Sequence, residues 1–201
     1  MGVVGSTWQV NGYAGQGNVH DLIGTLKGRV ALVVGSGDGV FEELHALSHL
    51  STTIFAVNDI GMFLPHVDHW VSLHGANLNA WKQVRWLHPR ERELTKYHSI
   101  EQYAFTDYTW ANLTPCFALS GYFAMQIAYI MGADQIILCG CPGDGTRRFF
   151  DIPGGRREAG QFSYGEKGVK EQVIHEMNRL PDFAKCVRSM SGWTREFFGS
   201  L

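Results

Sequence analysis

The residues of this chain best suited to chemistry sit where apolar runs stop. Gly35-Ser36-Gly37-Asp38-Gly39 follows the run Val30 to Val34. Glycines at such a turn let the backbone approach a ligand, and amides at the start of a following helix attract an anion such as phosphate. In a G-x-G-x-x-G frame the third glycine would fall at Val40, so the full dinucleotide fingerprint is missing and a nicotinamide cofactor is disfavoured. Asn58-Asp59 ends the run Thr53 to Val57, and His74-Gly75 ends the run Trp70 to Leu73. A side-chain amide can read a base or ribose, and an imidazole or carboxylate can take a proton. Gly35, Ser36, Gly37 and Asn58 are therefore candidate nucleotide contacts, and His74 or Asp59 a candidate base. The plain alternative for Asn58 and Asp59 is a turn or helix cap, which both residue types also suit.

Two further groups add donors. Ser120-Gly121 opens a strongly apolar stretch, where a hydroxyl followed by glycine caps a helix and also presents hydrogen-bond donors to a phosphate or carboxylate. Arg147, Arg148, Arg156 and Arg157, with Tyr164, lie in the Gly- and Arg-rich stretch 143 to 168. Guanidinium groups can clamp an anion bidentately and an aromatic ring can close over a base or sugar, so Arg147, Arg148 and Tyr164 are read as a substrate loop, against the commoner alternative of a solvated charge run. His66, Asp68 and His69 carry metal-ligand chemistry, but H-x-D-H lacks the i, i+4 spacing of a helical pair, and no metal site is expected there. Cys116, Cys139, Cys141 and Cys186 lack paired spacing, and no G-x-S-x-G is present to make a nucleophile elbow.

The elements that must position these groups follow from hydrophobic period. Val30 to Val34, Thr53 to Val57, Trp70 to Leu73 and Gln135 to Cys139 are short apolar runs, as expected of strands buried on both faces. Phe41, Leu44, Leu47 and Leu50 recur at helical spacing, predicting a helix over Val40 to Leu50. Gly121 to Met131 reads as a helix buried nearly all round, stopped by Gly132. Val169, Val173, Ile174, Met177 and Leu180 mark one face of a helix closed by Pro181, with a short strand expected near Cys186 to Met190. Strand, turn and helix in alternation predict an α/β fold, a three-layer Rossmann-like domain with a mostly parallel central sheet. Residues 1 to 27, rich in Gly, Asn and Gln without a sustained period, are assigned to an irregular N-terminal arm, and 28 to 201 to the single domain.

Composition narrows the class. With 45% hydrophobic and 18% charged residues over 201, the chain is too apolar for disorder and sized for one core. A net charge of −2 offers no basic face for nucleic acid, and no stretch reaches the length of a membrane span, so neither partner is expected and a cytoplasmic location is. An aromatic-rich chain is compatible with a homo-oligomer, although no heptad marks an interface.

The string Leu119-Ser120-Gly121-Tyr122-Phe123-Ala124-Met125-Gln126-Ile127-Ala128-Tyr129-Ile130-Met131-Gly132-Ala133, followed by Ile136-Ile137-Leu138-Cys139-Gly140, resembles a segment shared by two groups. These are the bacterial sialyltransferases that use CMP-sialic acid and the proteins similar to archaeal-type 6-hydroxymethylpterin diphosphokinase. Uncharacterised phage proteins are similar too, and there His69-Trp70-Val71-Ser72-Leu73-His74 also has counterparts. The resemblance implies a nucleotide lying against Gly35, Gly37, Asn58, Ser120 and Gly121, with Tyr164 a loop contact. Two positions depart from the sialyltransferase pattern: Tyr164-Gly165-Glu166-Lys167 has no histidine, and Gly140-Cys141-Pro142 replaces Gly-x-Asp. The diphosphokinase group implies Mg2+ held by acidic residues, for which Asp38, Asp59 and Asp144 are available. The expected activity is a nucleotide- or nucleotide-sugar-binding transferase taking a CMP-sugar or nucleoside triphosphate. The alternatives are a pterin diphosphokinase-like phosphotransferase and a non-catalytic phage binding or assembly protein with a decayed site.

Overall fold

In the computed structural model of the chain, residues 17–85, 94–113, 119–143, 148–150 and 169–201 are described. The strands are β1 (Val30–Val34), β2 (Thr52–Val57), β3 (His69–Val71), β4 (Lys96–Ser99), β5 (Tyr108–Thr109), β6 (Gln135–Cys139) and β7 (Val187–Ser189). The helices are α1 (Val40–Ala46), α2 (Gly75–Val84), α3 (Ser120–Ile130), α4 (Val169–Arg179), α5 (Pro181–Cys186) and α6 (Gly192–Phe198). The strands form one sheet in the order β5-β4-β3-β2-β1-β6-β7, with every pairing between them parallel. The α/β expectation is met, and the sheet is wholly parallel where the sequence predicted it mostly so.

Side-chain alternation divides each central strand between two apolar layers. Ala31 and Val33 of β1 with Ile136 and Leu138 of β6 face the core beneath α3, α4, α5 and α6. Leu32 and Val34 with Ile137 and Cys139 face the opposite core, where Val40 and Leu47 pack. Helix α3 lies against the sheet with Tyr122 to Ala128 all buried, which explains why its sequence shows no polar stripe. Val19, Leu22 and Leu26 also enter this core, so a 3₁₀ turn at Val19–Leu22 and the chain after it belong to the packed body.

Three local differences from the sequence reading have physical reasons. Helix α1 stops at Ala46 rather than Leu50, because the N–H groups of Leu47 and Leu50 bond three residues back and tighten the last turn while Leu47 stays buried. Pro181 does close α4, but it also starts α5, since a proline at the first helical position lacks only an amide that would have no partner within the helix. Strands β4 and β5 and helices α2 and α6 have no strong apolar period and were not anticipated.

The topology sets where a ligand can go. From β1 the sheet grows outward through β2, β3, β4 and β5, and then β6 returns to the other side of β1. At that reversal the connections leave the carboxyl ends of β1 and β6 in opposite directions, opening a crevice above them.

Candidate functional site

A cavity of about 260 Å³ lies at this crevice. Its floor is formed by the turns after β1, β2 and β6, and its walls by α2, α3, α4 and α6. Gly35, Ser36, Gly37, Asn58, Asp59, His74, Gly121 and Arg148 all line it. Ser120 sits behind the wall, 2% exposed, its Oγ accepting the Leu73 N–H at 3.4 Å. Arg147 and Tyr164, assigned to a substrate loop, lie outside the described residues, as does Asp144.

Each wall has a local cause. The glycines after β1 are required by a close approach of two turns. The Gly35 N–H donates to Cys139 O at 2.8 Å and the Gly37 N–H to Gly140 O at 2.9 Å, carrying the β1/β6 ladder beyond the strands. A Cβ at Gly35 would lie 2.6 Å from Gly140 O, and one at Gly37 2.8 Å from the same atom. Both amides are thus already hydrogen-bonded within the chain. Glu43 of α1 fastens the same region by accepting the Gly140 N–H at 2.7 Å, a role with no sequence signal.

Asn58 adopts a left-handed conformation, φ 57°, which asparagine tolerates better than other side-chain-bearing residues. Its carbonyl accepts Trp70 Nε1–H at 2.5 Å and its Oδ1 accepts the Ser72 hydroxyl at 2.9 Å. Anchoring Oδ1 leaves the NH2 as the amide's donor end. Ser72 Oγ in turn accepts the His74 N–H at 3.1 Å, so one buried hydroxyl ties the end of β2 to the start of α2. The sequence reading missed Ser72, although its place between two singled-out positions was a usable clue. His74 itself is exposed, at the N-terminal boundary of α2.

Asp59 is engaged by Arg148 in a 2.8 Å ion pair, with side-chain exposures of 13% and 30%. The segment bearing Arg148 is strapped across the turn: Arg148 forms an antiparallel bridge with Gly37, and the Phe149 N–H donates to Ser36 O at 3.0 Å. Phe149 then wedges between Phe41 and Phe63, with ring centroids at 4.9 and 5.1 Å.

The far end of the cavity is apolar. Leu119, Tyr122 and Met125 of the α3 region face Val173, Trp193 and Phe198. Lys170 joins this wall with its ammonium 5.0 Å from the Trp193 ring, and Thr194 Oγ1–H donates to Cys141 O at 2.7 Å, fixing α6 to the turn after β6. Above Gly121 a Cβ would meet nothing within 4 Å, so the start of α3 looks into open space. Lys170, Trp193 and Thr194 were missed because they lie on helices remote in sequence from the strand ends that signalled the site. Cys141 also lines the cavity, but burial, with the Glu43 carboxylate adding to it, pushes its thiol up to about 12, so it is a neutral thiol at pH 7 and no nucleophile.

The described residues assemble no donor set for Mg2+. Asp59 is committed to Arg148, Asp38 is exposed and does not line the cavity, and no group of three His, Cys, Asp or Glu suited to a metal occurs among the described residues. His66 and Asp68 form an exposed pair at 2.9 Å, and His69 lies buried elsewhere, so the H-x-D-H stretch does not converge on one point. No helix among the described residues is long and apolar enough to cross a membrane.

No family model matches the chain, and no curated protein matches its sequence. Among solved structures, the MAf glycosyltransferase from Magnetospirillum magneticum AMB-1 is similar over 92% of this chain, with a TM-score of 0.51 and 15% identity. The chain spans 34% of that protein's length. At this identity the likeness is one of fold, and it places the Rossmann-like arrangement of this sheet alongside that of a glycosyltransferase.

Proposed function

We propose that the protein is a glycosyltransferase-like transferase that binds a nucleotide or nucleotide-sugar in the crevice above β1 and β6. The observation that carries this reading is the cavity itself: it lies at the topological reversal of a parallel sheet, with polar groups at one end and an aromatic wall at the other. Similarity of fold to a glycosyltransferase supports the reaction class. In this reading the donor's phosphates lie toward Arg148 and the starts of α2 and α3, whose helix dipoles favour negative charge. The Asn58 amide reads a sugar or ribose hydroxyl, and the base or sugar ring meets the wall of Tyr122, Met125 and Trp193.

Transfer forms a bond from an acceptor oxygen to the sugar carbon and breaks the bond from that carbon to the donor phosphate, which leaves with the electron pair. Arg148 balances the charge that develops on the leaving group. His74 takes the acceptor proton, because Asp59 already gives an oxygen to Arg148.

Thermal unfolding with CMP, CTP, GTP and ATP tests the reading. A ligand at 100 times its dissociation constant adds about 2.7 kcal/mol of stability. Asn58→Ala should reduce the response, and no shift with any nucleotide would remove the proposal. A non-catalytic binding or assembly protein of phage type is the second reading. It is favoured by the prior engagement of the Gly35 and Gly37 amides and the Ser120 hydroxyl. Nucleotide binding without transfer or hydrolysis would support it.

A further inference from the structure

The ion pair inside the cavity has a consequence for which ligands can enter. Arg148 is bridged to the turn after β1, and its guanidinium already has a carboxylate partner, Asp59, at 2.8 Å. Both side chains line the cavity. Both backbones are fixed: Arg148 by its bridge to Gly37 and the following Phe149 N–H bond, Asp59 by the 3₁₀ turn at Asn58–Met62 that Trp70 anchors. Only the side chains can exchange partners.

We propose that Asp59 acts as a resident counter-ion that an incoming ligand must outcompete for Arg148. The cleft thereby selects a doubly charged phosphoryl group over a singly charged anion. The inference rests on the reading of this cavity as a ligand site and adds the charge class of the group it takes. Replacing one carboxylate by another exchanges like for like, so a monoanion gains little. A phosphoryl group with two charges and adjacent oxygens matches the guanidinium fork and gains a second charge-assisted hydrogen bond. Because the pair is largely withdrawn from water, the difference is not erased by solvent screening as it would be on an open surface.

The competition has a distinctive signature. Removing the Asp59 charge should tighten anion binding, whereas loss of a catalytic carboxylate or of a structural tie would weaken it or leave it unchanged. Inorganic pyrophosphate, inorganic phosphate, acetate, CMP and cytidine are titrated calorimetrically into the wild type, Asp59→Asn, Arg148→Gln and the double variant. Asp59→Asn should bind pyrophosphate and CMP about tenfold more tightly, and Arg148→Gln about tenfold more weakly. In the Arg148→Gln background the gain from Asp59→Asn should shrink below about threefold, because the two residues act through each other. Acetate should bind detectably only after Asp59→Asn, and cytidine should not respond to either change. If Arg148→Gln fails to fold, Arg148→Lys keeps the charge without the fork and should lose the preference for pyrophosphate over acetate.

An unchanged or weaker pyrophosphate affinity in Asp59→Asn, or an equal gain in both backgrounds, overturns the competition. Nucleotide binding that ignores both substitutions overturns it and leaves the nucleotide reading standing. Arg148-dependent binding of pyrophosphate with no binding of any nucleotide does the reverse. No binding of any probe removes both.

Discussion

The centre and the edge of this sheet solve the same problem by different means. In the centre, β1, β2 and β6 bury aliphatic side chains on both faces, and each such residue contributes about 1.5–3 kcal/mol on leaving water. At the edge, β3, β4 and β5 bury polar rings. Phe55, His69, His98 and Tyr108 form a row across four strands, with successive ring centroids at 4.4, 5.0 and 5.2 Å. Trp110 Nε1–H donates to His98 Nδ1 at 3.0 Å, which leaves the proton of a neutral His98 on Nε2, from where it is donated to His69 Nδ1 at 2.9 Å. The centre is held by non-directional burial that tolerates any pH. The edge is held by directional bonds that exist only while both imidazoles are neutral.

That contrast is broken most directly by acid. Burial, with Lys96 nearby and only partly opposed by Asp68, lowers His69 from 6.5 to about 4, and burial with His69 and Lys96 lowers His98 well below 6.5. In the unfolded chain both take protons near 6.5, and in the folded chain they do not. Stability is therefore complete above that value and is lost as pH falls from it toward about 4, where His69 protonates in the folded chain as well. The expected slope approaches 1.4 kcal/mol per pH unit for each histidine, or about 3 kcal/mol from His69 alone. Urea unfolding between pH 7.5 and 4.5 measures it, and His69→Gln, which keeps an acceptor for His98, should remove roughly half of the slope. Equal slopes in the two proteins would show that the edge does not carry the acid sensitivity.

The centre is most vulnerable where its two turns cross. Gly140 has φ 59°, and a Cβ there would lie 2.5 Å from Gly35 O and 2.8 Å from Val40. Gly140→Ala should cost about 3 kcal/mol at every pH, and it should also distort the cavity floor. A loss that varies with pH would mean that centre and edge are coupled. The smallest effect is expected at His66, whose exposed bond to Asp68 leaves the structural contact, Asp68 Oδ2 with the Ile54 N–H at 2.8 Å, untouched. His66→Ala should change stability at pH 7.5 by less than about 0.5 kcal/mol, read from the same urea unfolding.

The same contrast explains what was legible in advance. Val30 to Val34 and Gln135 to Cys139 were read as strands with the bounds they have, because a strand buried on both faces needs an unbroken apolar run. Lys96-Tyr97-His98-Ser99 could not be read that way, since its buried polar groups become acceptable only when partners from β3 and from Trp110 arrive. At the candidate site Gly35, Asn58, His74 and Gly121 were found because a parallel sheet puts its strand and helix ends on one side. Ser120 was assigned to that surface and lies behind it, as a hydroxyl at a helix start can turn either outward or toward a neighbouring strand's amide.

By itself the sequence determined the layer type, the central strands and the side of the sheet where chemistry can occur, all of which follow from local period and chain polarity. Only the tertiary structure decided that Asp59 faces Arg148, that Glu43 holds Gly140 and that Lys170 and Trp193 close the far wall. Those pairings join residues far apart in the chain. Their energies depend on distance and burial, and neither quantity exists until the sheet has assembled.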